Sequence, residues 1–410
     1  MIILVLNCGS SSIKYQLFDM SDGSKLLAKG LLERIGLVDS ILTHKPADGE
    51  TYKVINDIPD HTTGINLVMA TLTDPKHGVI KNVNQIKAVG HRVVNGGESY
   101  KESVLIDNDV KKQIEINIEL APLHNPANLK GILSVEKLIP GVPQVAVFDT
   151  SFHQTMPDYA YMYALPYEYY EKYRIRKYGY HGTSHKFVAS KAARLLGLEC
   201  KKLKIITCHL GNGASITAIK NGRSIDTSMG FTPVDGLIMG TRTGEIDAGV
   251  LIFIADKEHL NVTGVNNLIN KKSGVAGISG LSSDMRDLEV AAAEGNEKAL
   301  LALNMYAYKV KKFIGSYFAA LNGLDLLVFT GGVGENDHKM RAMICSDMKS
   351  LGIDFDFEAN NGVRGKDMVI SKPDSKATVM CITTDEEFVI ASDTRYLVEK
   401  YTHYVNTLKQ

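Results

Sequence analysis

Tryptophan is absent from this chain, and cysteine is scarce: five residues, at Cys8, Cys200, Cys208, Cys345 and Cys381. The number is odd and no two form a C-x-x-C pair, which argues against both a disulfide framework and a zinc knuckle. Reduced thiols in a reducing compartment are expected instead. Net charge is also missing, since 46 Lys and Arg balance 46 Asp and Glu. A neutral chain is a poor candidate for sequence-independent binding to nucleic acid or anionic lipid. No uncharged apolar run reaches the roughly 18 residues of a membrane span. The N-terminal apolar run Met1–Leu6 is too short for a signal peptide, lacks a basic flank, and reads as a buried strand. The expectation is a soluble, cytoplasmic chain that binds neither nucleic acid nor membrane.

What is present fits a globular protein: 44% hydrophobic and 22% charged residues over 410 positions, enough for two or three domains. The segment 2–19 reads as strand, Gly-Ser-Ser-Ser turn, strand. The same outline returns two hundred residues later, with a strand over 203–209, the turn Gly211-Asn212-Gly213, a strand over 214–220 and a further Asn221-Gly222 hairpin. Two such units in halves of similar length suggest an internal duplication. Residues 300–321 carry a 3.6-residue apolar stripe that predicts a long helix stopped by Gly323. A strand over 325–330 then runs into a third glycine-rich turn, 331–334. Alternating helix and strand predict an α/β fold with mixed sheets.

Glycine turns at strand ends let backbone N–H groups approach an anion closely. Neither G-x-x-x-x-G-K-[ST] nor G-x-G-x-x-G occurs, which disfavours a P-loop enzyme and a dinucleotide-binding dehydrogenase. No H-R-D motif supports a protein kinase. His181 and His185 are spaced as a metal pair would be on a helix, but Gly182 and Thr183-Ser184 argue for a loop ending in a helix N-cap, and no third ligand has suitable spacing.

The duplicated strand–turn–strand unit resembles the fold shared by sugar kinases, actin and Hsp70-type ATPases. Within that group seven motifs, at residues 7–14, 90–97, 148–153, 180–185, 209–213, 239–244 and 331–336, resemble the acetokinase family in order, and with the matching Glu386 the resemblance spans residues 7 to 386. The resemblance implies two lobes, each with a mixed central β-sheet flanked by helices: an N-terminal lobe of 1–150 plus about 387–410, and a C-terminal lobe of 151–386 carrying most nucleotide-binding segments. It implies reversible phosphoryl transfer between ATP and a short carboxylate such as acetate, giving acetyl phosphate and ADP, by a homodimer using Mg²⁺ or Mn²⁺. A propionate or butyrate kinase of the same family is the near alternative. An Hsp70-like nucleotide-gated module would need a further binding domain. A sugar kinase would need an aspartate base and would leave the arginine motifs without an anionic substrate.

A carboxylate acceptor is already ionised at neutral pH, so transfer needs positioning and cations rather than a base. Arg92 and Arg242, in Gly-His-Arg and Gly-Thr-Arg-Thr-Gly, suit that role through the guanidinium fork. By resemblance His181 donates a hydrogen bond to the transferring phosphoryl group, His185 is structural, and His124 is a supporting substrate-site residue. Asp149 is expected to orient Arg or Mg²⁺, and Asn7 and Glu386 to hold the metal directly or through water; spacing alone does not choose among Asp385, Glu386 and Glu387. His209, Leu210, Gly211, Asn212 and Gly213 should cradle phosphates, with Lys14 reaching them from the first hairpin. Asp284, Met285 and Arg286, with Gly332, Val333, Gly334, Glu335 and Asn336, should flank adenosine and ribose. Val94, Leu123, Tyr180 and Pro233 should line a small acyl pocket. Relatives commonly carry Phe at the position of Tyr180 and His at that of Asn95, a difference bearing on acyl preference. Nine tyrosines between 159 and 180, interleaved with Lys and Arg, suggest a subunit or domain interface.

Overall fold

The N-terminal apolar run becomes β1 (Ile2–Cys8) in the computed structural model, which describes residues 1–21 and 23–408. The chain divides into two units, Met1–Ser151 with Asp385–Gln410, and Phe152–Thr384. In the first, eight strands form one sheet: β1, β2 (Ser12–Asp19), β3 (Lys25–Glu33), β4 (Ser40–Pro46), β5 (Tyr52–Asn56), β6 (Ile86–Val93), β7 (Val104–Leu105) and β8 (Gln144–Phe148). Their order is β5-β4-β3-β2-β1-β6-β8-β7.

Both faces of β1 are covered, which is why it reads as an uninterrupted apolar run rather than an alternating one. Leu4 and Leu6 pack with Ile65 and Val68 of the helix His61–Leu72 and with Val135 of the helix Asn125–Leu138. Ile3 and Val5 pack on the other face with Val145 and with Ile390 and Ala391 of the C-terminal helix Glu386–Leu408. Each such fully buried side chain contributes about 1.5–3 kcal/mol, and truncating Leu4 to Ala would cost roughly 2–5 kcal/mol.

The second unit repeats the pattern with β9 (Lys204–Leu210), β10 (Ala214–Lys220), β11 (Arg223–Thr227), β12 (Leu326–Thr330), β13 (Met368–Val369) and β14 (Thr378–Cys381), in the order β11-β10-β9-β12-β14-β13. The correspondence is strand by strand. β1 pairs β2 antiparallel and β6 parallel; β9 pairs β10 antiparallel and β12 parallel. β6 pairs β8 and β12 pairs β14, both parallel. The duplication expected from the two glycine turns is therefore a duplication of sheet topology. On one face of the second sheet Val188 and Ala192 of the helix Gly182–Leu195 pack against Ile205 and Val328.

The long helix spans Glu297–Leu321 and opens on Asn296, whose Oδ1 accepts from the Ala299 amide at 3.0 Å. Val310, Ile314, Tyr317 and Leu321 of its stripe are buried. Its stop is shared. Asn322 takes the left-handed conformation (φ 55°) and Gly323 follows at φ 113°, so the first turn-forming residue is the asparagine, a residue that tolerates that region.

Two local expectations are corrected. Residues 331–334 are not a turn: the helix Gly331–Asn336 starts directly on the end of β12. Gly331 sits at φ 78°, and a Cβ there would lie 2.7 Å from the Leu210 carbonyl oxygen, so glycine is required by both backbone angle and space. At 181–185, Thr183 and Ser184 are not the helix cap. The helix begins at Gly182 with His181 itself in the cap position at φ 56°.

Candidate active site

In the first unit the site is built on the end of β6. A Cβ on Gly90 would lie 2.5 Å from Thr394 Oγ1 and 2.6 Å from Ile390 Cγ2. The glycine of Gly-His-Arg thus admits the C-terminal helix against the strand and places Glu386, at the start of that helix, beside Arg92. Arg92 Nε donates to Asp149 Oδ1 at 2.9 Å and Nη2 to Oδ2 at 2.6 Å. Glu386 Oε2 lies 4.0 Å from Arg92 Nε, and Lys14 pairs with Glu387. Asn7 faces Lys14 across the β1–β2 hairpin. Burial opposes the Arg92 charge, but Asp149 and Glu386 outweigh it and hold the guanidinium firmly cationic. Glu386 is pushed upward, first by burial and then by the Asp149 and Glu387 carboxylates, against the pull of Arg92 and Lys14.

The loop after β6 is clamped by two asparagines that sequence reasoning missed. Asn128 Oδ1 accepts from the Val94 amide at 3.0 Å while its Nδ2 donates to the Cys8 carbonyl at 2.8 Å. Asn125 accepts from the Asn95 amide and donates to the Asn95 carbonyl. Their i, i+3 spacing just after His124 was the only signal available in the sequence. Asn95 itself accepts from the Gly97 amide at 2.8 Å. His124 caps the helix Asn125–Leu138 by position, and Leu123 beside it is 64% exposed.

In the second unit the β9–β10 turn carries Gly211, Asn212 and Gly213. A Cβ on Gly213 would stand 3.6 Å from Arg242 Nη1 and 3.7 Å from His181 Nε2, so a guanidinium and an imidazole both converge over that glycine. Arg242 donates to the Pro233 carbonyl at 3.2 Å and has no carboxylate partner among the described residues. Burial lowers its affinity for a proton, offset in part by Tyr180. The His181 and His209 rings stack with centroids 4.2 Å apart. Tyr180 is buried and its hydroxyl donates to the Phe231 carbonyl at 2.9 Å.

A cavity of about 540 Å³ opens beside this turn in the same unit. Gly211, Asn212, Asp284, Met285, Arg286, Gly332, Val333 and Asn336 of the expected nucleotide set line it. Asp284 caps the helix Met285–Ala293 and pairs with Arg286. His209, Leu210, Gly213, Gly334 and Glu335 are not in the lining. Glu335 Oε1 instead accepts from Thr330 Oγ1 and the Gly331 and Thr384 amides at 3.0–3.1 Å, which ties the end of β12 to the segment after β14. Sequence reasoning missed Tyr306 and Asp337, which also line the cavity; Tyr306 Oη and Asp337 Oδ2 are buried without a hydrogen-bond partner. Orphaned buried polar atoms in a cavity wall are ones a ligand or a water would satisfy. Asp337 is pushed upward by burial and by Glu289.

Of the four residues expected to line an acyl pocket, Val94 and Leu123 belong to the first unit and Tyr180 and Pro233 to the second. Lys14 belongs to the first unit and the other residues expected at the nucleotide to the second; Asn7 and Glu386 belong to the first. No group of three or more His, Cys, Asp or Glu gathers as a metal cage among the described residues. No helix of the described residues is long and apolar enough to cross a membrane.

The duplicated sheet, with Arg242 and His181 converging over a glycine turn beside a glycine-lined cavity, is the architecture of a phosphotransferase. The chain belongs to the acetokinase family, whose model matches residues 2–392. An acetate kinase of Parabacteroides distasonis is 57% identical over 398 residues, 97% of this chain and 99% of its own. The crystal structure of Porphyromonas gingivalis acetate kinase matches with a TM-score of 0.94 at 53% identity, covering 97% of this chain and 99% of that one. A propionate kinase from Francisella tularensis matches at 0.89 with 43% identity over 97% and 99%.

Proposed function

We propose that this protein is an acetate kinase, transferring the terminal phosphoryl group of ATP reversibly and directly to acetate to give acetyl phosphate and ADP. The observation that carries the reading is the occupation of Asp149. Both of its oxygens are engaged by Arg92, so the one acid at the end of β8 serves as an anchor for a guanidinium rather than as a base. A sugar hydroxyl would need that base; a carboxylate, ionised at neutral pH, does not. Arg92 then positions an anion in the first unit, and Arg242, without a carboxylate of its own among the described residues, offsets the charge of the transferring phosphoryl group together with the His181 ring. The Gly211–Gly213 turn and the cavity walled by Asp284 and Gly332 take the nucleotide.

Mg²⁺ fits the first unit. Asp149, Glu386 and Glu387 place three carboxyl groups around only two cations, Arg92 and Lys14, so one carboxyl group has no cation of its own. Asn7 and Glu386 would hold the ion, which would supply neutralisation of the nucleotide phosphates; such few-ligand, hydrated sites are the habit of Mg²⁺. Tyr180 satisfies its hydroxyl internally, which leaves its ring as an apolar wall and favours acetate without excluding propionate, since one methylene is worth only about 1–3 kcal/mol.

The unit-two helices Ala248–Lys257 and Val262–Lys271 bury no residue, although the first reads Ala-Gly-Val-Leu-Ile-Phe-Ile-Ala. This is the face assigned to a homodimer. Five free cysteines, four of them buried, support a reducing cytoplasmic setting. The test is acyl-phosphate formation trapped with hydroxylamine, from MgATP and acetate, propionate, butyrate or glycerol. Acetate should give the highest kcat/KM. A propionate optimum would move the assignment to the related kinase, and ATP hydrolysis with no acyl phosphate from any acid would overturn it.

A further inference from the structure

Behind the His181 ring lies a chain of buried hydroxyls and a second imidazole. His181 Nδ1 is 2.8 Å from Ser215 Oγ, Ser215 Oγ is 2.8 Å from His185 Nε2, and His185 Nδ1 is 2.7 Å from Thr207 Oγ1. Ser215, His185 and Thr207 are all fully buried. The local fold explains the alignment. His181 and His185 sit four residues apart on one side of the start of the helix Gly182–Leu195, and the left-handed backbone at His181 sets its ring there. Thr207 and Ser215 come from the adjacent strands β9 and β10.

The direction of this chain follows from counting protons. Ser215 has one O–H and two imidazole partners, so it donates to one and accepts from the other. A neutral imidazole likewise donates at one nitrogen and accepts at the other. The whole chain therefore runs one way or the other, and its far end decides. His185 is the one side-chain partner of the Thr207 hydroxyl among the described residues. A buried hydroxyl with one partner loses less by leaving lone pairs open than by leaving its O–H unsatisfied, so Thr207 donates. His185 Nδ1 then accepts, its Nε2–H donates to Ser215, and Ser215 donates to His181 Nδ1. The proton of His181 is left on Nε2, the nitrogen that faces Gly213 and Arg242. Burial holds the His185 pKa well below its ordinary value, which keeps that ring neutral and the relay unidirectional.

We propose that Thr207, His185 and Ser215 are positioning residues that lock His181 in its Nε2–H tautomer, so that it meets the phosphoryl group as a hydrogen-bond donor. The inference rests on the reading of His181 given above. It adds three residues and a proton arrangement to it.

The test is a long-range ¹H–¹⁵N spectrum of protein labelled at the histidine ring nitrogens, with His181 assigned through a His181→Gln variant. The unsubstituted protein should show His181 and His185 protonated at Nε2 and bare at Nδ1. Thr207→Val, which keeps shape and removes the donor, should mix the His181 tautomers and lower kcat about ten- to a hundred-fold with nucleotide KM unchanged. Thr207→Ser should restore both. A His181 protonated at Nδ1 in the unsubstituted protein would overturn the relay, whatever the valine variant does or whether it folds. A tautomer that follows Thr207 while kcat stays constant would uphold the relay and remove His181 from the chemistry.

Discussion

Arg92 and Asp149 meet through two parallel hydrogen bonds, Nε to Oδ1 at 2.9 Å and Nη2 to Oδ2 at 2.6 Å, with Asp149 almost wholly buried. Such a pair fixes the plane of the guanidinium as well as its position. Asp149→Asn keeps the shape and removes one charge, leaving Arg92 to pair only with Glu386 at 4.0 Å. The expected result is a kcat lowered by about 10²-fold or more and a stability loss on the order of 3 kcal/mol. Arg92→Lys should lose as much activity because an ammonium cannot bond both oxygens in one plane. Retention of full kcat by either variant, read in the hydroxylamine assay, would remove the pair from catalysis.

Gly332 and Glu335 stand three residues apart in one motif and should behave oppositely. Gly332 lines the cavity and a Cβ there meets nothing within 4 Å, so Gly332→Val should fold normally and raise the nucleotide KM at least about ten-fold by filling space a ligand needs. Glu335 turns away to accept three hydrogen bonds. Glu335→Ala should cost about 1–3 kcal/mol of stability, while Glu335→Gln, which keeps the acceptor oxygen, should cost less. Nucleotide titrations and urea unfolding on the same preparations separate the two effects. A tenfold KM change in Glu335→Gln without loss of stability would return that residue to the binding surface.

The contrast shows what was legible beforehand. Glycine turns at strand ends and the long apolar stripe carry local signals, so β1–β2, β9–β10 and the helix Glu297–Leu321 could be read directly. The motif order named the family and most of the residues around Arg92, His181 and Asn212. It could not say which way a side chain in a motif points: Glu335 and Gly332 share a segment, yet one ties the backbone and the other opens on the cavity. Asn125, Asn128, Ser215 and Thr207 were invisible because they act through partners distant in sequence, Asn128 reaching across 120 residues to Cys8. Tyr306 joins the cavity wall only because the long helix packs where it does, whereas Asp337 is carried there by the motif it directly follows.

The helix Ala248–Lys257 buries none of its residues, and its Ile252 is 72% exposed beside Phe253. A contiguous apolar face of this kind on a monomer is a liability unless covered. A second copy covering it would remove roughly 800 Å² per partner from water in a stable interface. Light scattering should give the mass of two chains for the unsubstituted protein and of one for the double variant Ile252→Asp, Phe253→Asp. An unchanged dimer in that variant would place the interface elsewhere, with the exposed tyrosines of 159–173 the next face to test.

His91 sits beneath the site on β6, buried, with its Nε2–H donating to Gln144 Oε1 at 2.7 Å. Burial outweighs that hydrogen bond and brings the ring from 6.5 to about 4 in the folded chain. Below about pH 6.5 the unfolded chain takes up a proton at this position and the folded chain does not, so folding stability falls as pH drops. The loss begins near 6.5, grows towards 4 and levels off beneath it, with a full size of roughly 3 kcal/mol. His91→Gln retains a donor for Gln144 and cannot titrate. Urea unfolding of both proteins at intervals between pH 7.5 and 4.5 should therefore show a shallower acid decline in the variant, with the gap opening below pH 6.5. His44 and His185, also lowered by burial, contribute to the decline that remains. Parallel curves for the two proteins would mean that His91 is solvated or already charged in the folded state, and that the acid sensitivity of this unit lies with other groups.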